Sequence, residues 1–185
     1  MNVLIRTKLR KRLLAYAFTH PDERYYVREL ALLIHDDPGN LSRELRGLQA
    51  EGLYTSVTRG RNKVYSLNKN YPLFAEMKSI VFKTIGVEGS LRELVNKYEG
   101  IETAFIYGSF AKNKEQASSD IDLVVVGELD RDTFTAEVRA LEAGLGREIN
   151  FNCYQRDEFM RESKQTGGFL NLVLKERKIV LKGKL

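Results

Sequence analysis

The chain has 185 residues, a formal net charge of +5 and 43% hydrophobic residues. This length accommodates one typical domain or two small ones, and the hydrophobic content is sufficient for a core in each. The single cysteine, Cys153, excludes an intrachain disulfide, and neither His20 nor His35 has a partner at zinc-ligand spacing. Because no apolar run reaches the length of a membrane span and no secretory signal precedes Leu4, we expect a cytoplasmic protein that does not contact a membrane.

The first third of the chain predicts three helices. Apolar residues recur at helical spacing over residues 3–18, before the His20-Pro21 boundary, and again from Val27 to Ile34. A third helix is predicted from Pro38 to near Gly52, with Asp37 as its N-cap and Pro38 in its first turn. Its buried face is expected to consist of Leu41, Leu45 and Leu48.

A basic hairpin is predicted after the third helix. Strand-like runs at residues 54–58 and 63–67 flank the tip Arg59-Gly60-Arg61-Asn62. Residues 1–70 contain 13 Lys and Arg against 7 Asp and Glu, whereas residues 71–185 contain 17 against 18. Such localised positive charge is typical of a nucleic-acid-binding surface, with a solvated basic face as the ordinary alternative. The candidate DNA-binding residues are Asn40, Ser42, Arg43 and Arg46 on the third helix and Arg59 and Arg61 on the hairpin.

Three helices followed by a basic hairpin resemble the winged helix-turn-helix domain of ArsR- and MarR-like transcription regulators, over roughly residues 3–70. The resemblance implies a mainly α domain in which the helix from Pro38 to Glu51 lies in the major groove of double-stranded DNA. The wing arginines would reach phosphate or the minor groove, and paired half-sites would favour a homodimer. We therefore assign residues 1–70 to a winged-helix DNA-binding domain, with a protein-interaction module as the alternative.

Residues 71–185 predict a second domain. A short polar joint, residues 68–72, leads into a helix that we expect to pack between the domains or against a second subunit. Ser90-Leu91-Arg92-Glu93 fits the capping box of the next helix. Further helices are predicted over residues 130–145, 157–162 and 169–176, and a last strand over residues 179–181. Helices and strands that alternate at this spacing indicate an α/β domain.

Within this domain, residues 104–126 place a Gly-Ser turn and a paired carboxylate at the ends of two apolar strands. The first strand ends at Gly108 and Ser109, where free backbone amides can hold phosphate oxygens. Asp120 and Asp122 begin the second strand, so both carboxylates project to one side. Mg²⁺ prefers a few carboxylate oxygens together with phosphate and water, so the pattern predicts a site for a metal-bound triphosphate. For an isolated Asp-x-Asp, a polar strand start is the alternative.

This pattern resembles the minimal nucleotidyltransferases of the DNA polymerase β-type superfamily, over roughly residues 71–185. The residues that match its signature are Gly108, Ser109, Ala111, Ser119, Asp120, Ile121, Asp122 and Leu123. The resemblance implies a mixed sheet, with Mg²⁺ or Mn²⁺ held by Asp120 and Asp122. It also implies a nucleoside triphosphate held by Gly108, Ser109, Lys112 and Ser119. By the same resemblance, an acceptor hydroxyl attacks the α-phosphorus and expels pyrophosphate. Related proteins modify either a partner toxin or small-molecule antibiotics. The sequence does not select between these two kinds of acceptor.

One position departs from the resemblance. The superfamily has a third carboxylate on a later strand, and this chain has Asn150 there. Asn can bind a metal through its carbonyl but cannot accept a proton. Glu148 lies about 7 Å along the same strand face and substitutes only if the cleft geometry has shifted. We retain Glu148 and Asn150 as candidate catalytic residues of an active nucleotidyltransferase. The alternative is a transcription regulator whose second domain is catalytically silent and senses a nucleotide or dimerises.

Overall fold

The structure, a computed structural model, describes residues 7–112 and 119–185 of the chain. These residues form nine helices and seven strands, and the strands make two separate sheets. The chain divides into two compact units, Met1–Val87 with Gly144–Gly146, and Glu88–Ala143 with Arg147–Leu185. None of the helices in the described ranges combines the length and the apolar character that crossing a membrane requires.

The first unit contains the predicted helices and hairpin. Its elements in chain order are α1 (Lys8–Thr19), β1 (Tyr25–Tyr26), α2 (Val27–Leu33), α3 (Pro38–Ala50), β2 (Tyr54–Arg59), β3 (Asn62–Leu67) and α4 (Phe74–Thr84). The first helix was expected to begin at residue 3, and residues 3–6 lie outside the described residues.

The helix α3 forms where its capping residues and its apolar spacing agree. The Asp37 side chain accepts a hydrogen bond from the Asn40 backbone N–H at 2.8 Å, and Pro38 occupies the first turn. The apolar residues Leu41, Leu45 and Leu48 are at most 1% exposed. The predicted cap and the predicted buried face are both confirmed, and the opposite face of α3 is open to solvent.

The sheet of the first unit has the order β1-β3-β2, with both pairings antiparallel. The hairpin of β2 and β3 closes at the pair Arg59 and Asn62. Gly60 in the turn has a φ of +59°, which glycine adopts without steric cost. The sequence does not predict β1, because this two-residue strand is held by its pairing with Val64 and Tyr65 and not by a local pattern.

The helix α4 belongs to the core of the first unit. The ring of Phe74 lies 5.5 Å from that of Phe18 on α1, and Val81 is buried in the same apolar cluster. Because of this packing, the units divide between Val87 and Glu88. The domain boundary that we assigned from the sequence lies 17 residues earlier, between residues 70 and 71.

The elements from α5 onward supply the second unit, apart from Val87 and Gly144–Gly146, which belong to the first. They are α5 (Val87–Asn96), β4 (Ile101–Tyr107), α6 (Gly108–Ala111), β5 (Ile121–Gly127), α7 (Arg131–Leu145), β6 (Ile149–Tyr154), α8 (Arg156–Ser163), α9 (Phe169–Lys175) and β7 (Ile179–Lys182). The predicted capping box at Ser90 is wrong, because Ser90 lies inside α5. Val87 and Leu91 are 1% and 0% exposed, so burial of this apolar face extends the helix to residues before Ser90.

A mixed four-stranded sheet forms the centre of the second unit, in the order β6-β5-β4-β7. The strands β5 and β6 are parallel, whereas β4 is antiparallel to both β5 and β7. On one face, the ring of Phe151 lies 5.2 Å from that of Phe134 on α7. On the other face, Val124 packs in a cluster with Leu170 of α9. Helices therefore cover both faces, and the predicted α/β class with a mixed sheet is confirmed.

Candidate active site

Three neighbouring strands bring polar side chains into one row. Tyr107 of β4 lies opposite Asp122 of β5, which in turn lies beside Asn150 of β6. Asp120 directly precedes β5, and the alternation of side chains places it on the same side as Asp122, whereas Ile121 between them is fully buried. The two carboxylates therefore project from one end of an apolar strand.

Gly108 brings the turn after β4 against the acidic pair. Its φ is +71°, in the left-handed region that favours glycine. A Cβ atom at this position would collide with the Asp122 carboxylate oxygen Oδ2. Glycine is thus required both for the backbone conformation and for the close approach of the turn to Asp122.

The acidic pair carries charge that is incompletely solvated. Burial raises the pKa of the Asp122 carboxyl above its ordinary value, and the charge of Asp120 raises it further. Burial, followed by the Asp122 charge, also raises the pKa of the Tyr107 hydroxyl. A divalent cation would offset both the burial and the repulsion, and carboxylate oxygens are the ligands that Mg²⁺ and Mn²⁺ prefer. The donor set therefore fits a divalent cation at Asp120 and Asp122.

The predicted nucleotide-binding residues Ser109 and Lys112 lie on the helix that follows the turn. Ser109 is half-buried in α6, directly after Gly108. Lys112 caps the end of α6, and its Nζ lies 2.6 Å from the Glu176 carboxylate oxygen Oε2 at the end of α9. A phosphate that uses Lys112 has to compete with Glu176 for the ammonium group.

Arg147 was not identified from the sequence as a site residue. Its side chain nevertheless contacts both α6, which follows the Gly-Ser turn, and Ser119, which precedes Asp120. It is only 6% exposed, and its Nη1 donates a hydrogen bond to the carbonyl oxygen of Ser119 at 3.2 Å. Its guanidinium carbon lies 5.8 Å from the ring centroid of Phe110 in α6. No local pattern predicts this role, because an arginine in the short segment between α7 and β6 is normally expected to be exposed.

The strand β6 supplies amides where the family resemblance implies a carboxylate. Asn150 Nδ2 donates to Asp120 Oδ2 at 3.3 Å, and Asn152 Nδ2 donates to the Tyr107 hydroxyl at 3.4 Å. Glu148 is exposed, and its backbone carbonyl accepts a hydrogen bond from Ile121 at 2.9 Å. Across residues 7–112 and 119–185, no three His, Cys, Asp or Glu side chains are grouped to hold a metal. Within the described residues, the Glu148 carboxylate is therefore not grouped with the acidic pair, and its catalytic role stays a prediction.

The candidate DNA-binding residues lie on solvent-facing parts of the first unit. Asn40, Arg43 and Arg46 on α3 are exposed, as are Arg59 and Arg61 on the hairpin. The Arg43 guanidinium donates to the Asn40 side-chain oxygen, and Arg46 Nε donates to the Ser42 carbonyl at 3.4 Å. An open groove of about 470 Å³ joins the start of α3 to the hairpin; its lining residues are Tyr26, Val27, Arg28, Pro38, Gly39, Ser42, Asn62 and Lys63. Arg28 and Lys63 in this groove were not among the DNA-binding candidates predicted from the sequence.

Solved structures that are similar to the chain include a toxin-antitoxin structure, a MarR family member and S. aureus MepR. The crystal structure of the toxin-antitoxin with AMP-PNP is 17% identical, with 52% of this chain and 73% of that chain covered and a TM-score of 0.40. Lactococcus lactis ZitR, a zinc-responsive MarR family member, is 17% identical, with 52% and 66% covered and a TM-score of 0.37. A mutant of S. aureus MepR is 19% identical, with 50% and 66% covered and a TM-score of 0.35. Similarity at this level identifies neither a ligand nor a partner of this chain.

No curated protein is similar enough in sequence to count as a match. The family described as Polymerase beta, Nucleotidyltransferase matches residues 90–183. This range contains the Gly-Ser turn, both aspartates and the strand that carries Asn150. Because the match covers just over half of the 185 residues, the chain belongs to the Polymerase beta, Nucleotidyltransferase family.

Proposed function

We propose that the second unit binds a nucleoside triphosphate together with Mg²⁺ or Mn²⁺ and transfers a nucleotidyl group to an acceptor hydroxyl. The main support is the row of Tyr107, Asp122 and Asn150, with the Gly108 backbone packed against the Asp122 carboxylate. Asp120 and Asp122 hold the metal in this proposal. A divalent cation held there would offset triphosphate charge and polarise the reacting phosphate.

The turn after β4 holds the outer phosphates in this proposal. Backbone amides beside Gly108 and the hydroxyl of Ser109 donate to phosphate oxygens, and Ser119 contributes a further polar contact. Lys112 adds positive charge when it exchanges the Glu176 carboxylate for phosphate. These contacts place the α-phosphorus next to the acidic pair, where an acceptor can reach it.

The transfer step joins the acceptor oxygen to the α-phosphorus and breaks the bond to the leaving pyrophosphate. Asn150 cannot accept the acceptor's proton, and a general base typically contributes about 10²- to 10⁴-fold in rate. Transfer by this chain is therefore slow. The acceptor is a hydroxyl of a partner protein, such as a toxin, or of a small molecule.

Labelled nucleotide tests whether the chain transfers a nucleotidyl group and whether the acceptor is a protein or a small molecule. The full chain is incubated with α-labelled nucleoside triphosphates, Mg²⁺ and cell lysate, and transfer of label to protein or small molecules is measured. Asn150→Asp should raise transfer by about 10-fold or more because it restores a proton acceptor beside Asp122, and Glu148→Gln should leave it unchanged. Loss of transfer in Glu148→Gln would instead identify Glu148 as the base. Absence of transfer in every variant would contradict the proposal and favour a silent, nucleotide-sensing regulator.

We also propose that residues 1–70 form a winged-helix DNA-binding domain that acts as a homodimer. The order of three helices followed by a hairpin supports this, as does the exposed basic face that includes Arg43 and Arg46. The capped helix α3 would read the major groove, and Arg61 on the hairpin would contact the backbone of the duplex. Two copies would bind paired half-sites.

Salt dependence tests the DNA-binding proposal. The affinity of the full chain for a pool of genomic duplex fragments should fall steeply as salt rises, because bound Lys and Arg release counterions. Arg43→Ala should reduce sequence preference at a cost of about 1 to 3 kcal/mol, whereas Arg61→Ala should weaken all sequences alike. Undetectable or salt-insensitive binding would exclude this function.

A further inference from the structure

We propose that the active site holds one divalent cation per bound nucleotide and not two, because the Asn150 side chain occupies the position from which a second cation would be held. This inference rests on the proposed function, in which Asp120 and Asp122 bind the metal of a nucleoside triphosphate. To that function we add that the site binds one cation and that Asn150 determines this number.

The Asn150 amide lies beside both carboxylates of the acidic pair. The parallel register sets Asn150 directly beside Asp122, while its Nδ2 donates to Asp120 Oδ2 at 3.3 Å. One side chain is therefore adjacent to both carboxylates. An N–H donor and a cation use the same carboxylate lone pairs, and the NH₂ group repels a cation that approaches this oxygen. The amide oxygen is the only ligand atom of Asn150, and it lies on the other branch of the amide group.

The charge of the protein groups around the acidic pair also favours a single cation. Two divalent cations in a shared site lie about 3.5 to 4 Å apart, so their mutual repulsion has to be offset by anionic ligands. Within the described residues, no third His, Cys, Asp or Glu side chain is grouped with Asp120 and Asp122. The buried guanidinium of Arg147 adds positive charge next to the pair, because it donates to the carbonyl of Ser119, one residue before Asp120. Apart from the triphosphate itself, the protein therefore supplies two carboxylates beside a buried guanidinium, which leaves little negative protein charge to hold a second divalent ion.

A single cation has a consequence for the acceptor. The cation held by the acidic pair is shared with the triphosphate, so the acceptor hydroxyl meets neither a carboxylate base nor a second cation that would lower its pKa. The site then favours retention of the bound nucleotide over its transfer.

The ratio of bound metal to bound nucleotide tests this inference. The full chain is equilibrated on a gel-filtration column with Mn²⁺ and, in turn, the non-cleavable α,β-methylene analogues of ATP, GTP, CTP and UTP, and both species are counted in the protein peak. The wild type should retain one Mn²⁺ per nucleotide, and Asn150→Asp should retain two. Asn152→Asp is the matched control, because Asn152 is also exposed on β6 but donates to Tyr107 and not to Asp120; it should retain one.

Each outcome decides the matter. A ratio of two in the wild type would overturn the inference, and so would a ratio of one in Asn150→Asp. A ratio of two in Asn152→Asp would show that any added carboxylate on this strand suffices, which overturns the assignment to Asn150. These results leave the proposed function standing, whereas a wild type that retains no nucleotide would overturn the proposed function and this inference with it.

Discussion

At the scale of single residues, the ionised carboxyl of Asp122 opposes folding. Burial and the neighbouring Asp120 raise the pKa of Asp122 above the ordinary value of 3.8. The folded chain therefore holds this proton more tightly than the unfolded chain does. The carboxyl contributes stability below pH 3.8, and that contribution is lost as the pH rises through the raised pKa of the folded state.

The substitution Asp122→Asn should therefore stabilise the metal-free protein at neutral pH, with a Tm up to a few degrees higher than that of the wild type. The difference should close as the pH falls below the raised pKa, because the wild-type carboxyl is then neutral as well. This difference in Tm is measured by thermal unfolding of both proteins in EDTA at acidic and neutral pH. A lower Tm for Asp122→Asn at neutral pH would contradict the conclusion that the charge of this carboxylate destabilises the fold.

Glu176 should weaken nucleotide binding, because its carboxylate forms an ion pair with the Lys112 ammonium. In the proposed function, this ammonium binds the triphosphate. An exposed ion pair contributes about 0 to 1 kcal/mol, so Glu176→Gln should tighten nucleoside triphosphate binding by about 2- to 5-fold. Glu102→Gln is the control, because Glu102 forms a similar ion pair with Arg156 at 3.3 Å, at the far end of β4. Equal affinity in wild type and Glu176→Gln would show that Lys112 does not contact the triphosphate.

Residue types and spacing predicted part of the site. The Gly-Ser turn and the Asp pair follow from local pattern, since both lie at strand ends within one short segment. The contacts of Asn150 with Asp120 and of Lys112 with Glu176 join distant parts of the chain. Such contacts depend on the order of strands in the sheet, which a single sequence does not specify.

At the scale of elements, α3 was predicted together with its cap because Asp37, Pro38 and the apolar spacing all agree. The start of α5 was not, because burial of Val87 overrides the local signal at Ser90. The α/β class follows from alternating elements, whereas the mixed sheet was expected from the family resemblance. Its order, however, depends on the pairing of β7 with β4, which brings residues far apart in sequence together.

Gly108→Ala tests the turn between β4 and α6. Alanine at this position would have to adopt a left-handed backbone conformation. Its Cβ atom would also collide with the Asp122 carboxylate. We expect a destabilisation of about 1 kcal/mol or more and loss of metal-dependent nucleotide binding. Gly47→Ala is the matched control, because Gly47 lies inside α3 with no atom within 4 Å of the added Cβ. It should stabilise the chain by about 0.5 to 1 kcal/mol. Unchanged nucleotide binding in Gly108→Ala would contradict the role of the turn.

At the scale of the whole molecule, charge and chemistry are divided between two parts of the chain. The excess of Lys and Arg lies in residues 1–70, whereas residues 71–185 are nearly neutral. The acidic pair lies in the second unit and the exposed basic face in the first. The shift in composition indicated two domains. Which of the two domains contains α4 could not be predicted, because the apolar face of α4 suits the core of either domain.

The most direct test of the central claim is calorimetric titration of nucleoside triphosphates into the full chain with Mg²⁺, compared with the double variant Asp120→Asn with Asp122→Asn. The wild type should bind only when the metal is present, and the double variant should not bind, because the cation loses its anionic ligands. Asp157→Asn, an exposed carboxylate in the first turn of α8, should bind as the wild type does. Equal affinity in the wild type and the double variant, or binding that persists in EDTA, would contradict the assignment of the metal site.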